Sequence, residues 1–299
     1  MCDSHKVWID GEIGTFLASK RLWLGLLVSL LGCTRRNDPS TVPQPVPSIG
    51  TAGTRTAALP NGKLIDLTHP FDEQTIYWPT EAGFLLELGN NGLTDKGYYY
   101  AANRFRAAEH GGTHLDAPIH FHDQRHTVDQ IELERLIGQA VVIDVSEQCR
   151  ANPDYEISVA DLRNWENAHS RQLTETIVLL RTGWSSRWPD REAYLGTSAR
   201  DPSAVESLHF PGLSPDAAQW LAEHRLPKAV GIDTASIDFG QSTHFESHIT
   251  LFKKNIPAFE NVANLDQLPT QGALVMALPM KISGGSGAPL RIVAIVPEP

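Results

Sequence analysis

The residues of this sequence that are best suited to chemistry lie in one short segment, residues 110–122. Within it, His110, His114, Asp116 and His120 are residue types that bind a divalent metal or move a proton beside one. All four occupy even positions, and alternate residues of an extended chain share a face. Their spacing therefore predicts one pocket that holds a metal ion.

The backbone that must position these side chains is predicted to be extended and bent. A helix would also bring His110 and His114 together, but the Gly-Gly pair between them and Pro118 oppose a helix. A straight strand would hold His110 and His120 about 33 Å apart, so the chain has to bend for all four to meet. Two glycines and a proline permit such bends.

The chemistry that these residue types support is metal-assisted hydrolysis. Imidazole and carboxylate ligands without a cysteine favour zinc or manganese over a soft metal. A metal with an open coordination position activates a water for attack on a carbonyl carbon and polarises the carbonyl oxygen. A nearby imidazole such as His120 can move a proton from that water to a leaving nitrogen, which amide cleavage requires.

Residues 110–120 match the signature H-x-G-T-H-x-D-x-P-x-H at every specified position. With this motif the chain resembles the cyclase, or kynurenine formamidase, family of metal-dependent hydrolases, which includes isatin hydrolases. The resemblance runs from about residue 64 to residue 296, through Trp78-Pro79, the stretch 231–238 and the pair His248 and Glu260. It implies a single-domain α/β protein with a β/β/α (swivelling-type) cyclase-like fold and a small barrel-like mixed sheet.

The resemblance also implies which residues bind metal. His110, His114 and Asp116 would hold the first ion. Asp116 and Glu260 would bridge to a second ion, which His248 completes. The cofactor would then be one or two zinc or manganese ions per chain.

Further implications of the resemblance concern catalysis and partners. His120 would be the catalytic acid/base, and Trp78 would contact an aromatic amide or lactam, such as N-formylkynurenine or isatin. Many members read Gly-Asp after the Trp-Pro pair, whereas this chain reads Thr80-Glu81, which changes the mouth of the pocket. A homo-oligomer that completes the pocket with a neighbouring subunit is expected.

The sequence leaves two other functions open besides amide hydrolysis. A non-haem iron oxygenase would use His114, Asp116 and His248 as a two-histidine, one-carboxylate triad, but it leaves His110 and His120 without roles. A metal-binding surface lipoprotein without catalysis would fit a lipid anchor and a histidine-rich loop. A serine hydrolase is disfavoured because no G-x-S-x-G motif occurs.

The beginning of the chain resembles a bacterial lipoprotein signal. Lys20-Arg21 precede an apolar run, residues 22–30, which is followed by Cys33 as the lipidation site. The predicted organisation is a signal segment 1–33, a Pro/Ser/Thr-rich tether 34–62 and a hydrolase domain 63–299. It places the protein in the cell envelope or periplasm, lipid-anchored and preferably at the outer membrane, or in the cytoplasm if translation starts further in.

Composition limits the remaining possibilities. The formal net charge is −10 with a pI near 5.6, and no basic patch occurs, so nucleic-acid binding is disfavoured. Apolar runs at 141–145, 176–180, 229–232 and 290–296 predict strands. Ser158 and Ser214 have the flanking residues of helix N-caps, and strands alternating with helices predict an α/β architecture.

Overall fold

The computed structural model describes residues 61–298, so the segment that ends at Cys33 and nearly all of the tether lie outside the described residues. No helix within residues 61–298 combines the length and the hydropathy that crossing a membrane requires. The strands are β1 (Gly62–Asp66), β2 (Leu85–Leu93), β3 (Tyr99–Arg106), β4 (His114–Asp116), β5 (Ile137–Asp144), β6 (Glu156–Ile157), β7 (Ile177–Arg181), β8 (Gly212–Leu213), β9 (Ala229–Ile232), β10 (Ala258–Glu260), β11 (Gln271–Pro279) and β12 (Gly287–Pro297). The helices are α1 (Leu133–Leu136), α2 (Ser146–Ala151), α3 (Val159–His169), α4 (Arg191–Leu195), α5 (Pro215–His224) and α6 (Glu246–Phe252).

The central sheet closes on itself. Its strand order is β1-β12-β11-β5-β7-β9-β10-β4, and β4 also pairs with β12, so seven strands form a ring with β1 added at its edge. Strands β5, β7, β9 and β10 run parallel to one another, whereas β11, β12 and β4 pair antiparallel. The predicted α/β class and the barrel-like mixed sheet are confirmed.

Side chains alternate between the two faces of this sheet, as strand geometry requires. Val142 and Leu179 belong to the buried cluster inside the ring, together with Leu115 of β4 and Phe259 of β10. Their neighbours along β5 and β7 belong to a second cluster that includes residues of α3, α5 and α6. Because Leu115 faces inward, the residues on either side of it in β4 face outward.

The helices that cover the outer face begin where the sequence predicts. Ser158 Oγ accepts a hydrogen bond from Asp161 N, and Asp161 Oδ2 accepts one from Ser158 N at 2.8 Å, which completes a capping box before α3. Ser214 Oγ accepts a hydrogen bond from Ala217 N at the start of α5, with Pro215 in the first helical position. Each cap stabilises its helix by about 1 kcal/mol.

The predicted strands are also present, with one informative difference. The run 290–296 predicts the last strand, but β12 begins three residues earlier, at Gly287. The extra residues pair with β4, with Pro289 opposite His114 and Gly287 opposite Asp116. The pairing with β4, and not local hydropathy, therefore extends β12 back to Gly287.

Strands β2 and β3 form a separate two-stranded hairpin, which we call the β2–β3 hairpin. Most of its residues are exposed, including large apolar ones. The side chains of Leu88, Leu93 and Tyr99 are 76%, 79% and 63% exposed, respectively. An isolated two-stranded hairpin is only marginally stable in water.

Candidate metal centre and active-site cavity

The chain enters β4 through a turn that only glycines permit. Gly112 has φ +59°, and a Cβ atom there would lie 2.6 Å from Phe71 Cε1. A Cβ at Gly111 would lie 2.1 Å from Tyr77 Cδ1. After β4, a 3₁₀ turn over Pro118–His120 bends the chain again. The predicted extended and bent segment is confirmed, and its bends bring the ring of His120 to 3.7 Å from that of His110, measured between centroids.

Two other elements bring their side chains to the motif. Strand β10 pairs antiparallel with β4 and places Glu260 directly opposite His114. Helix α6 supplies His248, whose side chain is 2% exposed. Both side chains therefore reach the buried motif from segments more than 120 residues further along the chain.

The five predicted metal ligands lie within contact distance around Asp116. Asp116 Oδ1 lies 2.7 Å from His110 Nδ1 and 3.0 Å from His114 Nε2, and its Oδ2 lies 3.1 Å from His248 Nε2. Glu260 Oε1 lies 3.1 Å from His248 Nε2, and Oε2 lies 3.5 Å from His114 Nε2. One oxygen of Asp116 therefore faces His110 and His114 and the other faces His248, as expected of a carboxylate that bridges two metal ions.

Two of the histidines have their tautomers fixed by groups behind them. His114 Nδ1 lies 3.0 Å from the Gly112 carbonyl oxygen, and His248 Nδ1 lies 2.5 Å from Asp238 Oδ2. A carbonyl and an ionised carboxylate only accept hydrogen bonds, so each Nδ1 carries the hydrogen. Each Nε2 then directs a lone pair at the two carboxylates of the cluster.

This arrangement fits a divalent metal ion. Lone pairs of imidazole and carboxylate that face one another at about 3 Å repel unless a cation lies between them. His114 Nε2 is buried and forms no hydrogen bond to any group of the described residues, although Asp116 Oδ1 is only 3.0 Å away. The ligand atoms of His114, Asp116 and Glu260 all lie within 4.8 Å of one another, and those of His110, Asp116 and His120 meet the same limit.

The electrostatics of the cluster favour positive charge. Burial lowers the pKa of His114, but Asp116 and Glu260 outweigh it and raise that pKa to about 9. The pKa of His248 is likewise raised, against burial, by hydrogen bonds to Asp116, Asp238 and Glu260. The ring nitrogens therefore lie in a negative potential, in which protons and metal cations compete for the same positions.

His120 differs from the other histidines of the cluster. Burial lowers its pKa to about 4, and the adjacent His110 acts in the same direction. Its ring lies parallel to that of His110, with an angle of 17° between the planes, and 6.3 Å from that of His248. A neutral imidazole at this position can accept a proton at pH 7, and its role as acid/base stays a prediction.

A cavity of about 350 Å³ opens onto the cluster. Its apolar walls include Ile76, Trp78, Phe121 and Phe245, and its base includes the predicted ligands and His120. The ring of Trp78 lies 6.2 Å from that of Phe245, between centroids. Trp78, the predicted substrate contact, thus belongs to an aromatic wall. Among residues 61–298, neither lysine nor arginine lines this cavity.

Sequence reasoning assigned no role to several residues of the site. Asp238 lies in the stretch 231–238, which belongs to the family resemblance, but only the structure shows that its carboxylate contacts His248. Phe121 and Phe245 carry no periodic pattern that marks them as cavity walls. Ser286 contacts both Glu109 and His110, and it lies 176 positions after His110 in the sequence.

Comparisons with known proteins agree with this geometry. A family model described as "Putative cyclase" matches residues 65–239. The chain is similar to an isatin hydrolase of Roseibium aggregatum, with 32% identity over 210 residues that cover 68% of this chain and 77% of that protein. It is also similar to a kynurenine formamidase of Bacillus mycoides, with 27% identity over 236 residues, 77% of this chain and 95% of the relative.

Solved structures give the same result. Isatin hydrolase A from Labrenzia aggregata, bound to benzyl benzoate, superposes with a TM-score of 0.71 and 34% identity, over 79% of this chain and 94% of that one. A structure described as a predicted metal-dependent hydrolase from Bacillus stearothermophilus has a TM-score of 0.56 and 25% identity, over 78% and 98% of the two chains.

Proposed function

This chain belongs to the cyclase family and is a metal-dependent hydrolase of carbonyl–nitrogen bonds, and we propose that it opens a neutral cyclic amide fused to an aromatic ring, of the isatin type. The cavity is the observation that carries this proposal. Trp78 and Phe245 offer flat apolar faces beside the predicted ligands. N-formylkynurenine carries an amino-acid carboxylate, and those residues of the described part of the chain that line the cavity include no lysine or arginine to pair with it. The aryl formamide therefore ranks second.

The residues of this chain would perform distinct parts of the reaction. A bound divalent metal supplies Lewis acidity, which polarises the amide carbonyl and makes water more acidic. Asp116, Glu260 and the imidazoles of His110, His114 and His248 would hold the metal. His120 takes a proton from the attacking water and gives it to the amide nitrogen as the carbon–nitrogen bond breaks. The products are a carboxylate and an aromatic amine, and the second proton of the water leaves to solvent.

The donors of the same cluster support a proposal for the identity and number of the metal ions. We propose zinc or manganese, because the donors are imidazole and carboxylate groups without a thiolate. His110, His114 and Asp116 would hold one ion, and Asp116, His248 and Glu260 a second. Metal analysis of the purified chain distinguishes one ion from two.

The two alternative functions are not favoured. A non-catalytic metal-binding protein does not explain the similarity to amide hydrolases over most of the folded chain. A non-haem iron oxygenase uses two histidines and one carboxylate, whereas the structure also places His110, His120 and Glu260 in the cluster.

The test is hydrolysis of isatin and of N-formylkynurenine by the purified full chain, chelated and then reloaded with zinc or manganese. Metal-dependent opening of isatin with a higher kcat/KM than for N-formylkynurenine is expected. Preference for the formamide would transfer the assignment to the second candidate. Failure on both substrates by a metal-loaded chain would overturn the substrate class.

We also propose that a second copy of this chain covers the β2–β3 hairpin. Phe105 of the hairpin stacks on Phe84 with centroids 5.8 Å apart, and Phe84 contacts Phe71, the residue beside Gly112 of the motif. Apolar surface therefore runs from the exposed hairpin to the edge of the site, where a neighbouring subunit would complete the cavity. A chain that stays monomeric at micromolar concentration in light scattering would contradict this.

For location, we propose lipid anchoring in the cell envelope through Cys33. The support is the sequence pattern alone: a basic pair, an apolar run and a cysteine. The full chain should partition with membranes, and Cys33→Ala should release it into the soluble fraction. Equal partitioning of the two proteins would favour a cytoplasmic location with translation starting further in.

A further inference from the structure

A chain of polar contacts runs from the metal cluster through His110 to a loop near the end of the sequence. His110 Nδ1 lies 2.7 Å from Asp116 Oδ1, and Nε2 lies 2.9 Å from Ser286 Oγ. Ser286 Oγ in turn lies 2.6 Å from Glu109 Oε2. The two nitrogens of one imidazole thus face a carboxylate on one side and a hydroxyl on the other.

The direction of these hydrogen bonds follows from the Glu109 carboxylate. Its Oε2 accepts hydrogen bonds from the backbone amides of Ser286 and Gly287, at 2.9 and 3.3 Å, and from the Ser286 hydroxyl. An ionised carboxylate only accepts, so the hydroxyl donates its one hydrogen to Glu109. The hydroxyl oxygen is then left to accept a hydrogen bond from His110 Nε2.

The tautomer of His110 is thereby defined. With the hydrogen on Nε2, Nδ1 carries a lone pair that points at Asp116 Oδ1. His114 and His248 have the opposite tautomer, with the hydrogen on Nδ1, because their rear nitrogens donate to a carbonyl and a carboxylate. All three imidazoles therefore present a lone pair to the carboxylates of the cluster.

The ring of His110 is also held mechanically. A Cβ atom at Gly287 would lie 2.4 Å from His110 Cε1, so only glycine lets the ring approach β12 this closely. The ring of His120 stacks on that of His110 with centroids 3.7 Å apart and further limits its movement. Ser286 is fixed independently, because its carbonyl oxygen accepts a hydrogen bond from Ala117 N at 2.8 Å.

We propose that Glu109 and Ser286 are positioning residues that hold His110 in its Nε2–H tautomer and so present Nδ1 to the metal. This inference rests on the metal site of the proposed function but not on the choice of substrate. The glycine-rich loop 284–287, which is no nucleophile motif, then has a purpose. It carries a hydroxyl to the rear of a metal ligand, where such groups raise metal affinity.

The test measures metal affinity directly. Zinc dissociation constants of the full chain would be determined by competition with a chromophoric chelator, for the natural sequence and for Ser286→Ala. Ser286→Ala should bind zinc about 10- to 100-fold more weakly, the usual effect of removing a group that orients a ligand. Glu109→Gln, whose amide can donate to the hydroxyl and reverse its direction, should also weaken binding.

Ser185→Ala is the matched control. Ser185 Oγ lies 3.3 Å from Nε2 of His69, a histidine outside the metal cluster, so this variant removes the same group from the same kind of contact. Its zinc dissociation constant should equal that of the natural sequence. If Ser286→Ala and Ser185→Ala bind zinc equally well, the positioning role is wrong.

Nitrogen-15 NMR of the histidine side chains gives a second, independent readout. The His110 signal, assigned by its loss in His110→Gln, should show the hydrogen on Nε2, and Ser286→Ala should populate both tautomers. A hydrogen on Nδ1 in the natural sequence would overturn the inference. If Ser286→Ala binds zinc more weakly but the natural sequence hydrolyses neither amide, the positioning role stands and the proposed substrate is wrong.

Discussion

The metal cluster and the β2–β3 hairpin differ in how their side chains are surrounded: polar groups of the cluster are buried and paired, whereas apolar groups of the hairpin are exposed to solvent. In the cluster, each imidazole of His110, His114 and His248 has its rear nitrogen bound to a group of the same chain. In the hairpin, large apolar side chains such as Leu88 and Leu93 are more than three-quarters exposed. Among residues 61–298, the donors of the cluster are thus paired within the chain, whereas large apolar side chains of the hairpin are left exposed.

The difference shows where each region obtains its stability. Buried polar groups have to be paired internally because an unpaired one costs about 1–3 kcal/mol. Exposed apolar groups carry no such local constraint, and their burial at an interface contributes about 25 cal/mol per Å². Changes in the cluster should therefore alter metal binding and turnover, and changes in the hairpin should alter association.

The largest effect is expected from Asp116→Asn. The substitution keeps the size of the side chain but removes the charge that contacts His110, His114 and His248. Bound metal should be lost, and kcat/KM should fall by about three orders of magnitude or more, because several kcal/mol of electrostatic stabilisation disappear. Metal analysis and amide turnover measure both. Asp66→Asn, at an exposed carboxylate, is the control, and full metal content in Asp116→Asn would contradict the site.

His120→Ala separates catalysis from metal binding. If His120 is the acid/base, metal content should be retained while kcat falls by about 10²- to 10⁴-fold. His122→Ala, two residues further along and outside the cluster, should leave both unchanged. The ligand atoms of His120, His110 and Asp116 lie within 4.8 Å of one another. Loss of bound metal in His120→Ala would therefore show that His120 is a metal ligand.

Metal addition should stabilise the fold through the same cluster. An ion present at 100 times its dissociation constant stabilises the native state by about 2.7 kcal/mol. For a domain of this size that raises the melting temperature by about 5–10 °C over the chelated protein. Thermal unfolding with and without zinc measures the shift. Asp116→Asn should show none, and an equal shift in that variant would place the stabilising ion elsewhere.

Leu88→Asp should leave the cluster intact and break association. A charge at this exposed position of the hairpin cannot be buried against a second copy without a large desolvation cost. Light scattering should give a monomer mass, with metal content equal to that of the natural sequence. Glu87→Gln, on the same strand, is the control. An unchanged mass would show that the hairpin is no interface.

Local patterns were sufficient for much of the fold and of the site. The hydropathy of β5, β7 and β9 and the caps of α3 and α5 act over a few residues, and the structure confirms them. The two glycines and Pro118 indicated the bends of the motif for the same reason. The implied ligands His248 and Glu260 came from the resemblance, since neither lies in a pattern that reveals metal binding by itself.

The sequence alone determined which side chains are available and where the backbone can bend, because residue type, strand alternation and glycine conformation are local properties. The tertiary structure decided that β4 lies between β10 and β12, which brings Glu260 opposite His114 and Ser286 behind His110. It also decided that no other element within residues 61–298 covers the large apolar side chains of the hairpin. Contacts between residues more than 100 positions apart depend on how the ring of strands closes, and no short-range pattern encodes that closure.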